Sequence, residues 1–332
     1  MRYLVTGGAG FIGSSLVDYL LASDADAHVT VLDKLTYAGS LDNLRQAQAT
    51  GRLQFVQGDV CDPAQAQSAC EGAQVVIHAA AESHVDRSIL AGRQAAQTNF
   101  LGTFTILEAA RQAQVDRLLC ISTDEVYGTK LDGVFNEDAP LNPRNPYSAA
   151  NAGADRMAHA YFVTYGVPVI ISRPSNNYGP RQFPEKLVPL FVYRALRDEP
   201  LPVYGDGAQM RDWLYVQDHC SAIDLLLREG QPGEAYNIPG GNERRNLETI
   251  RVLLDELGKP ESLIRFVEDR PGHDPRYPLG GAKLAALGWR PQTPWEQGLR
   301  RTVRWYAENP QWLEGAVARG KQFHDAWYAE RK

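Results

Sequence analysis

Asp124 and Glu125 stand side by side in the stretch CISTDEVYG, directly after Ser122 and Thr123. Neighbouring carboxylates divide acid and base roles when their surroundings differ, because burial and nearby charge push their proton affinities apart. Further on, NPYSAANAGAD sets Tyr147 and Asn151 four residues apart, one helical turn, so both side chains project from one face. A phenol in such a place can carry a proton, and an amide can bind a hydroxyl. Each group also has a plain structural reading: a surface acid pair with a capping threonine, and a half-buried ring beside a surface amide. The elements around them decide.

Between residue 1 and about 175, short apolar β-branched runs (YLVT, HVTVLD, LQFVQGD, AQVVIHAA, DRLLCIS, VPVIISR) alternate with helix-patterned segments. That alternation predicts an α/β chain on a Rossmann-type doubly wound parallel sheet, with a cofactor domain over 1–175. After Pro174 the elements shorten and are broken by Pro and Gly: a helical segment near 186–198, a strand-like LPVYG, and amphipathic helices near 246–257 and 295–307. Residues 176–332 are therefore expected to form a smaller mixed α/β substrate lobe, with room for the chain to cross between lobes more than once. The fifth strand ends at CIS, which places Ser122, Thr123, Asp124 and Glu125 at the carboxyl edge of the sheet, where open α/β folds do their chemistry.

The first residues, MRYLVTGGAGFIG, read as a strand followed by Gly7, Gly8, Gly10 and Gly13, and the helix-patterned SSLVDYLLAS follows. Gly8, Gly10 and Gly13 fit G-x-G-x-x-G in its required strand-turn-helix setting, which binds a dinucleotide pyrophosphate at a helix N-terminus. Asp33 ends the second strand, where a carboxylate accepts hydrogen bonds from the adenosine ribose and repels a 2′-phosphate, so NAD is expected rather than NADP. Asp59, after the third strand in QGDV, is placed either to reach the adenine or to cap its turn.

Lys and Arg total 34 against 40 Asp and Glu, a net charge of −6, which disfavours nucleic acid and anionic membrane as partners and points to a small molecule. Cys61, Cys70, Cys120 and Cys220 are scattered without short paired spacings, so neither a metal site nor a disulfide framework is expected. No apolar run approaches the roughly 18 residues of a membrane span. A soluble, unprocessed, cytoplasmic protein is the expectation.

TGGAGFIG, AAESHVDRS (80–88), STDEVYG (122–128), PYSAA with Tyr147, SNNYGP (175–180), FPEKL (183–187), GDGAQMRDWLYVQDH (205–219) and DRPGHDPRY (269–277) together span nearly the whole chain. This set resembles the extended short-chain dehydrogenase/reductases, and within them the dTDP-glucose 4,6-dehydratase family, whose hallmark the Asp-Glu pair looks like. The resemblance implies a closed redox cycle with NAD: oxidation at C4 of a bound hexose, loss of water across C5 and C6, and return of hydride to C6. On that likeness Tyr147 is the redox base, Thr123 hydrogen-bonds the C4 oxygen, Asp124 protonates the departing C6 hydroxyl and Glu125 removes the C5 proton. It extends the cofactor contacts to Gly7, Gly10, Phe11, Ile12, Gly13, Asp33 and Lys34 in the first part of the chain. Asp59, Val60, Ala79, Ala81, Thr98, Tyr147, Asn151 and Asn177 complete them. The implied nucleotide-sugar contacts are Ser83, Asn176, Lys186, Leu187, Tyr204, Arg211, Asn246, Arg270 and His273. Arg211 and Arg270 suit a diphosphate through their planar forks, with a surface ion pair as the alternative. His273 reads equally as a solvated loop residue, Lys186 as a surface charge and Tyr204 as core filling. A homodimer through the helices near 95–113 and 147–165 is likewise implied.

The chain departs from that family in three places. Asn151 stands where Tyr-x-x-x-Lys has lysine, which holds the nicotinamide ribose and lowers the tyrosine pKa by its charge. Free tyrosine, with a pKa of about 10, is ionised to roughly one part in a thousand at pH 7, a deficit of about 4 kcal/mol. A slower redox step is expected. In DPRYPLGGAKL (274–284) the residues Pro278, Leu279, Gly280 and Gly281 replace a continuation that is usually acidic, and Arg181 replaces an aromatic residue. The leading expectation is an NAD-retaining dehydratase of dTDP-glucose or a close NDP-hexose. Its rivals are a redox-impaired NAD and nucleotide-sugar binder, favoured by Asn151, and an epimerase or decarboxylase of the same superfamily.

Overall fold

The computed structural model of the chain describes residues 1–269 and 273–329. Seven strands make the main sheet: β1 (Arg2–Thr6), β2 (His28–Asp33), β3 (Leu53–Gln57), β4 (Val75–His78), β5 (Arg117–Ile121), β6 (Val169–Pro174) and, far along the chain, β10 (Ala235–Ile238). Their order is β10-β6-β5-β4-β1-β2-β3 and every pairing is parallel. All four residues of β4 and all six of β6 are buried, as expected of strands covered on both faces. Successive side chains go to opposite layers. Val5, Ile77 and Leu119 pack under helices Phe11–Ser23 and Val216–Glu229, while Leu4, Val76 and Leu118 pack under Thr103–Ala113 and Pro146–Tyr165.

Between β6 and β10 lie β7 (Asn176–Tyr178), β8 (Leu201–Tyr204) and β9 (Met210–Tyr215); after it come β11 (Glu243–Arg245) and β12 (Ile264–Val267). They form two small sheets, β11-β9-β7 and β12-β8. Helices Leu187–Ala195, Asn246–Leu257 and Trp295–Glu308 close a core of Val188, Phe191, Trp213, Ile250, Leu253, Leu299 and Tyr306 over them. The chain thus leaves the main sheet after β6 and returns to it through the helix Val216–Glu229 and β10, so a single division at residue 175 does not describe its path. The return is short: AYNI is four residues between the turn-forming Pro232-Gly233 and Pro239-Gly240, and its place in the main sheet is set by its pairing with β6.

Two buried polar joints fix the geometry. Arg173 on β6 is 1% exposed and grips Asp155 on the helix Pro146–Tyr165 through two bonds, 2.8 and 2.9 Å, while its other nitrogen donates to Tyr127 Oη at 2.5 Å. This holds the helix that carries Tyr147 and Asn151 at one height above the sheet. Arg181, in left-handed backbone at φ 69°, pairs with Asp18 at 2.7 Å and donates to the Asn43 carbonyl at 2.7 Å. The residue that departs from the aromatic pattern is therefore a tie between the small lobe and the first helix. The Pro278–Gly281 segment is also accounted for: it exchanges backbone hydrogen bonds with Phe135, and a Cβ at 280 would stand 2.4 Å from Asn136 Oδ1, so a larger residue there would have to displace the Asn136 amide. Among the described residues no helix is long and apolar enough to cross a membrane, and no group of ligating side chains is arranged to hold a metal.

Candidate active site

β5 stops at Ile121, and Thr123 caps the short 3-10 turn Asp124–Tyr127 by accepting from Glu125 N–H at 3.3 Å. The same hydroxyl donates to Asp124 Oδ1 at 3.1 Å. Asp124 is 2% exposed, and its Oδ2 has no hydrogen-bond partner. Burial, reinforced by the Glu125 charge, holds its carboxyl well above the usual carboxylate range. Glu125 is only half-buried and accepts from the Asn145 amide at 3.3 Å.

Tyr147 sits in the first turn of Pro146–Tyr165, which starts with Pro146 at its first position and a reciprocal capping box between Asn145 and Ser148. The Asn145 side chain thus orients both the helix bearing the phenol and the carboxylate facing it. Burial raises the Tyr147 pKa, Glu125 and Asp124 raise it further, and a hydrogen bond with Thr123 works against them. Asn151, 6% exposed, turns its amide back onto the Tyr147 carbonyl at 2.9 Å. An amide there extends the helix bonding; it brings no charge to the phenol.

A cavity of about 840 Å3 runs along the carboxyl edge of the sheet. It brings together Gly7, Gly10, Phe11, Ile12, Gly13, Asp33 and Lys34 from β1, β2 and the glycine turn. From the other strand ends come Asp59, Val60, Ala79 and Ala81, from the helical segment Ala96–Gly102 Thr98 and from β7 Asn177, and Thr123, Asp124, Glu125, Tyr147 and Asn151 close the far wall. The glycine turn is tight: Gly7 has φ 67° and a Cβ there would lie 2.7 Å from Ala80, while a Cβ on Gly13 would lie 2.2 Å from the Gly7 oxygen. Gly8 faces Val31 instead, so its lack of a side chain serves helix-on-strand packing. Asp33 accepts from Ala9 N–H at 2.9 Å and Leu35 N–H at 2.8 Å, which aims its carboxylate along the cleft. Lys34 and Asp59 form an ion pair at 2.6 Å at the rim. A cradle without room for Cβ atoms beside a fixed carboxylate fits a dinucleotide.

A second cavity of about 170 Å3 shares Glu125, Asn176 and Lys186 with the first and adds Leu187, Tyr204, Arg211, Asn246 and His273. Ser83 lines the larger cavity, where its carbonyl accepts from Lys186 Nζ at 2.5 Å. Arg211 meets His273 at 2.8 Å and lies 4.6 Å over the Tyr277 ring, and Tyr204 donates to Asp86 at 3.1 Å. Arg270 lies outside the described residues. The Oδ1 atoms of Asn176 and Asn246 are buried without partners. With Asp124 Oδ2 and Gln182 Oε1 they make four orphan acceptors among the described residues lining the joined cavities, where a polyhydroxylated ligand supplies donors.

Two contributors carry no role in the motifs above. Asn145 was legible only as a helix start, through its Asn-Pro and the serine three residues on. His219 closes the run VQDH; it is fully buried, burial pushes its pKa down to about 3, and its Nδ1 meets Asn177 Oδ1 at 2.9 Å. Nothing in a single sequence separates such a buried histidine from an ordinary one.

The family model of GDP-mannose 4,6 dehydratase matches residues 4–302. The low-salt glycan biosynthesis protein Agl12 of Haloferax volcanii is 52% identical over 306 residues, 92% of this chain and 98% of that one. The dTDP-glucose 4,6-dehydratase of Actinoplanes sp. is 48% identical over 318 residues, covering 94% and 99%. The structure of DesIV, a dTDP-glucose 4,6-dehydratase from Streptomyces venezuelae solved with NAD bound, superimposes with a TM-score of 0.93 at 50% identity, covering 95% of this chain and all of that one. A family match across nearly the whole chain, with relatives this similar over nearly their full length, makes the protein a member of the GDP-mannose 4,6 dehydratase family.

Proposed function

We propose that the protein is an NAD-dependent nucleotide-sugar 4,6-dehydratase that converts dTDP-glucose, or a close NDP-hexose, to the 4-keto-6-deoxy sugar. The observation that carries this reading is the buried, unpartnered Asp124 Oδ2 beside Glu125, where the two cavities join. Elimination across C5 and C6 needs an acid for a poor leaving group and a separate base for a carbon acid. Asp124, with its pKa raised by burial, holds a proton for the C6 hydroxyl. Glu125, less buried, takes the proton from C5 once a ketone at C4 has acidified it. Thr123 and Tyr147 face the C4 oxygen. NAD, when bound, supplies the oxidation at C4 and the later reduction at C6.

Gly7, Gly10, Phe11, Ile12 and Gly13 would hold its pyrophosphate, with Asp33 on the adenosine ribose. Lys34, Asp59, Val60, Ala79, Ala81, Thr98 and Asn177 line its path to Tyr147 and Asn151. The second cavity takes the nucleotide sugar, with Arg211 on the diphosphate and Ser83, Asn176, Lys186, Leu187, Tyr204, Asn246 and His273 around it. The cofactor lobe comprises residues 1–175 with the return through β10, and the remainder is the substrate lobe. Exposed Phe100, Leu101, Phe104, Val163 and Tyr165 on the paired helical segments 96–113 and 146–165 support a homodimer, which light scattering reads directly. A cytoplasmic location accords with a nucleotide-sugar substrate.

Asn151 favours a second reading, a binder of both ligands with no turnover. Mixing the NAD-loaded protein with dTDP-glucose and identifying the sugar by mass and NMR decides between them. A 4-keto-6-deoxy product is expected. Tight binding with unchanged sugar establishes the binder, and a C4 epimer overturns both.

A further inference from the structure

Asn177 and Gln182 each line both cavities, and the hydrogen bonds behind them fix which way their amides face. Asn177 Nδ2 donates to the Ser175 carbonyl at 3.0 Å, so Oδ1 is the end of the amide that meets His219 Nδ1 at 2.9 Å. An amide oxygen only accepts, which makes His219 the donor and puts its proton on Nδ1. The other ring nitrogen agrees: Nε2 of this fully buried histidine has no partner among the described residues, and a proton placed there would be stranded. Asn177 is left with one N–H, and that donor is what it can offer the cleft.

Gln182 offers the opposite. Its Nε2 donates to the Asn177 carbonyl at 2.8 Å, its own carbonyl accepts from the buried Tyr306 hydroxyl at 2.8 Å, and its Oε1 is buried without a partner. A ligand hydroxyl could satisfy either residue singly. A primary carboxamide satisfies both at once, because its oxygen accepts and its nitrogen donates. Nicotinamide carries such a group beside the ring carbon that takes hydride. Asp33 and Lys34 occupy the adenosine end of the larger cavity, and Thr123 and Tyr147 stand on the wall where the hydride must move.

We propose that Asn177 and Gln182 form a donor–acceptor pair that reads the nicotinamide carboxamide of NAD, and that His219 is a positioning residue that holds the Asn177 amide in the orientation this requires. The inference rests on NAD as the cofactor and not on the identity of the sugar. Gripped through its carboxamide, the nicotinamide ring cannot turn over about its glycosidic bond. One face therefore stays toward the sugar cavity, as it must when the hydride taken from C4 is given back at C6.

Cofactor preference tests the pair without recourse to turnover. The protein is equilibrated with NAD and an analogue together, freed of unbound dinucleotide by gel filtration and denatured, and the released dinucleotides are counted by chromatography. Acetylpyridine adenine dinucleotide keeps the oxygen but has a methyl group in place of the amide nitrogen. Thionicotinamide adenine dinucleotide keeps the nitrogen and has sulfur, a weak acceptor, in place of the oxygen. The unaltered protein should prefer NAD to each by about tenfold or more, the weight of one hydrogen bond to a buried group. Gln182→Met should lose the preference over the acetylpyridine analogue and keep the other. His219→Leu should lose the preference over the thionicotinamide analogue and keep the first, as should Asn177→Leu, whereas His219→Gln, which still donates to Asn177, should behave as the unaltered protein. Circular dichroism confirms the fold of each variant. If His219 were merely structural, His219→Leu would weaken all three dinucleotides together and leave their ratios unmoved, and that result overturns its positioning role. Equal binding of NAD and both analogues by the unaltered protein, or a preference over acetylpyridine that survives in Gln182→Met, overturns the pair. A protein that retains none of the three dinucleotides overturns the NAD reading along with it. The expected shifts in a protein that makes no 4-keto-6-deoxy sugar uphold the pair while the dehydratase reading falls.

Discussion

Asp124 and Glu125 are adjacent in sequence and differ in surroundings, which is why they can take opposite parts. Asp124 gives one oxygen to Thr123 and keeps the other dry, while Glu125 is half-buried and held by the Asn145 amide. Replacing Glu125 by glutamine keeps the shape and removes the base. The 340 nm rise on adding dTDP-glucose should persist in Glu125→Gln while release of the dehydrated sugar falls by roughly 10²- to 10⁴-fold, the usual weight of a general base. A matching loss in both signals would instead place Glu125 in the oxidation. At this scale the carboxylate pair, Tyr147 and Asp33 were legible because their types and strand-end positions are chemical. The Asn145 contact with Glu125 and the His219 contact with Asn177 were not, because each joins elements far apart in the chain.

The helix Pro146–Tyr165 is positioned by a pair that no periodicity reveals. Arg173 and Asp155 are both almost fully buried; Asp155 also meets Arg156 at 2.7 Å, whereas the Arg173 charge is tolerable only because Asp155 faces it. Asp155→Leu should cost about 3–5 kcal/mol of unfolding free energy by stranding the buried Arg173 charge, and Arg173→Met added to it should restore most of the loss. Urea midpoints measure both, and additive losses would show that the two residues are not coupled. The six strands up to β6 could be read from their apolar β-branched runs, since a sheet covered on both faces admits little else. β10 could not, being four residues placed by tertiary pairing alone, and neither could the use of Gly280 and Gly281, whose close packing on Asn136 and Pro239 appears only when the chain is folded.

Acid sensitivity belongs to the molecule as a whole. His78 lies beneath the ends of β1 and β4 between the hydroxyls of Thr6 and Thr103, and His219 lies behind Asn177. Burial pushes their pKa values down to about 4 and about 3, whereas an unfolded histidine titrates near 6.5. Below that value the unfolded chain binds protons that the folded one refuses, so this part of the stability is complete above about pH 6.5 and drains away as pH falls toward 4 and 3. Asp124, whose folded pKa is raised, works in the opposite sense. The effect of one histidine is therefore best read as a difference. His219→Gln, which retains a side-chain donor for Asn177, should flatten the dependence of unfolding free energy on pH between 6.5 and 4 by up to about 1.4 kcal/mol per unit, the weight of one proton. An unchanged slope would mean that His219 takes up its proton in the folded state, which requires water to reach the space behind Asn177 and the cofactor cleft to loosen before the molecule unfolds.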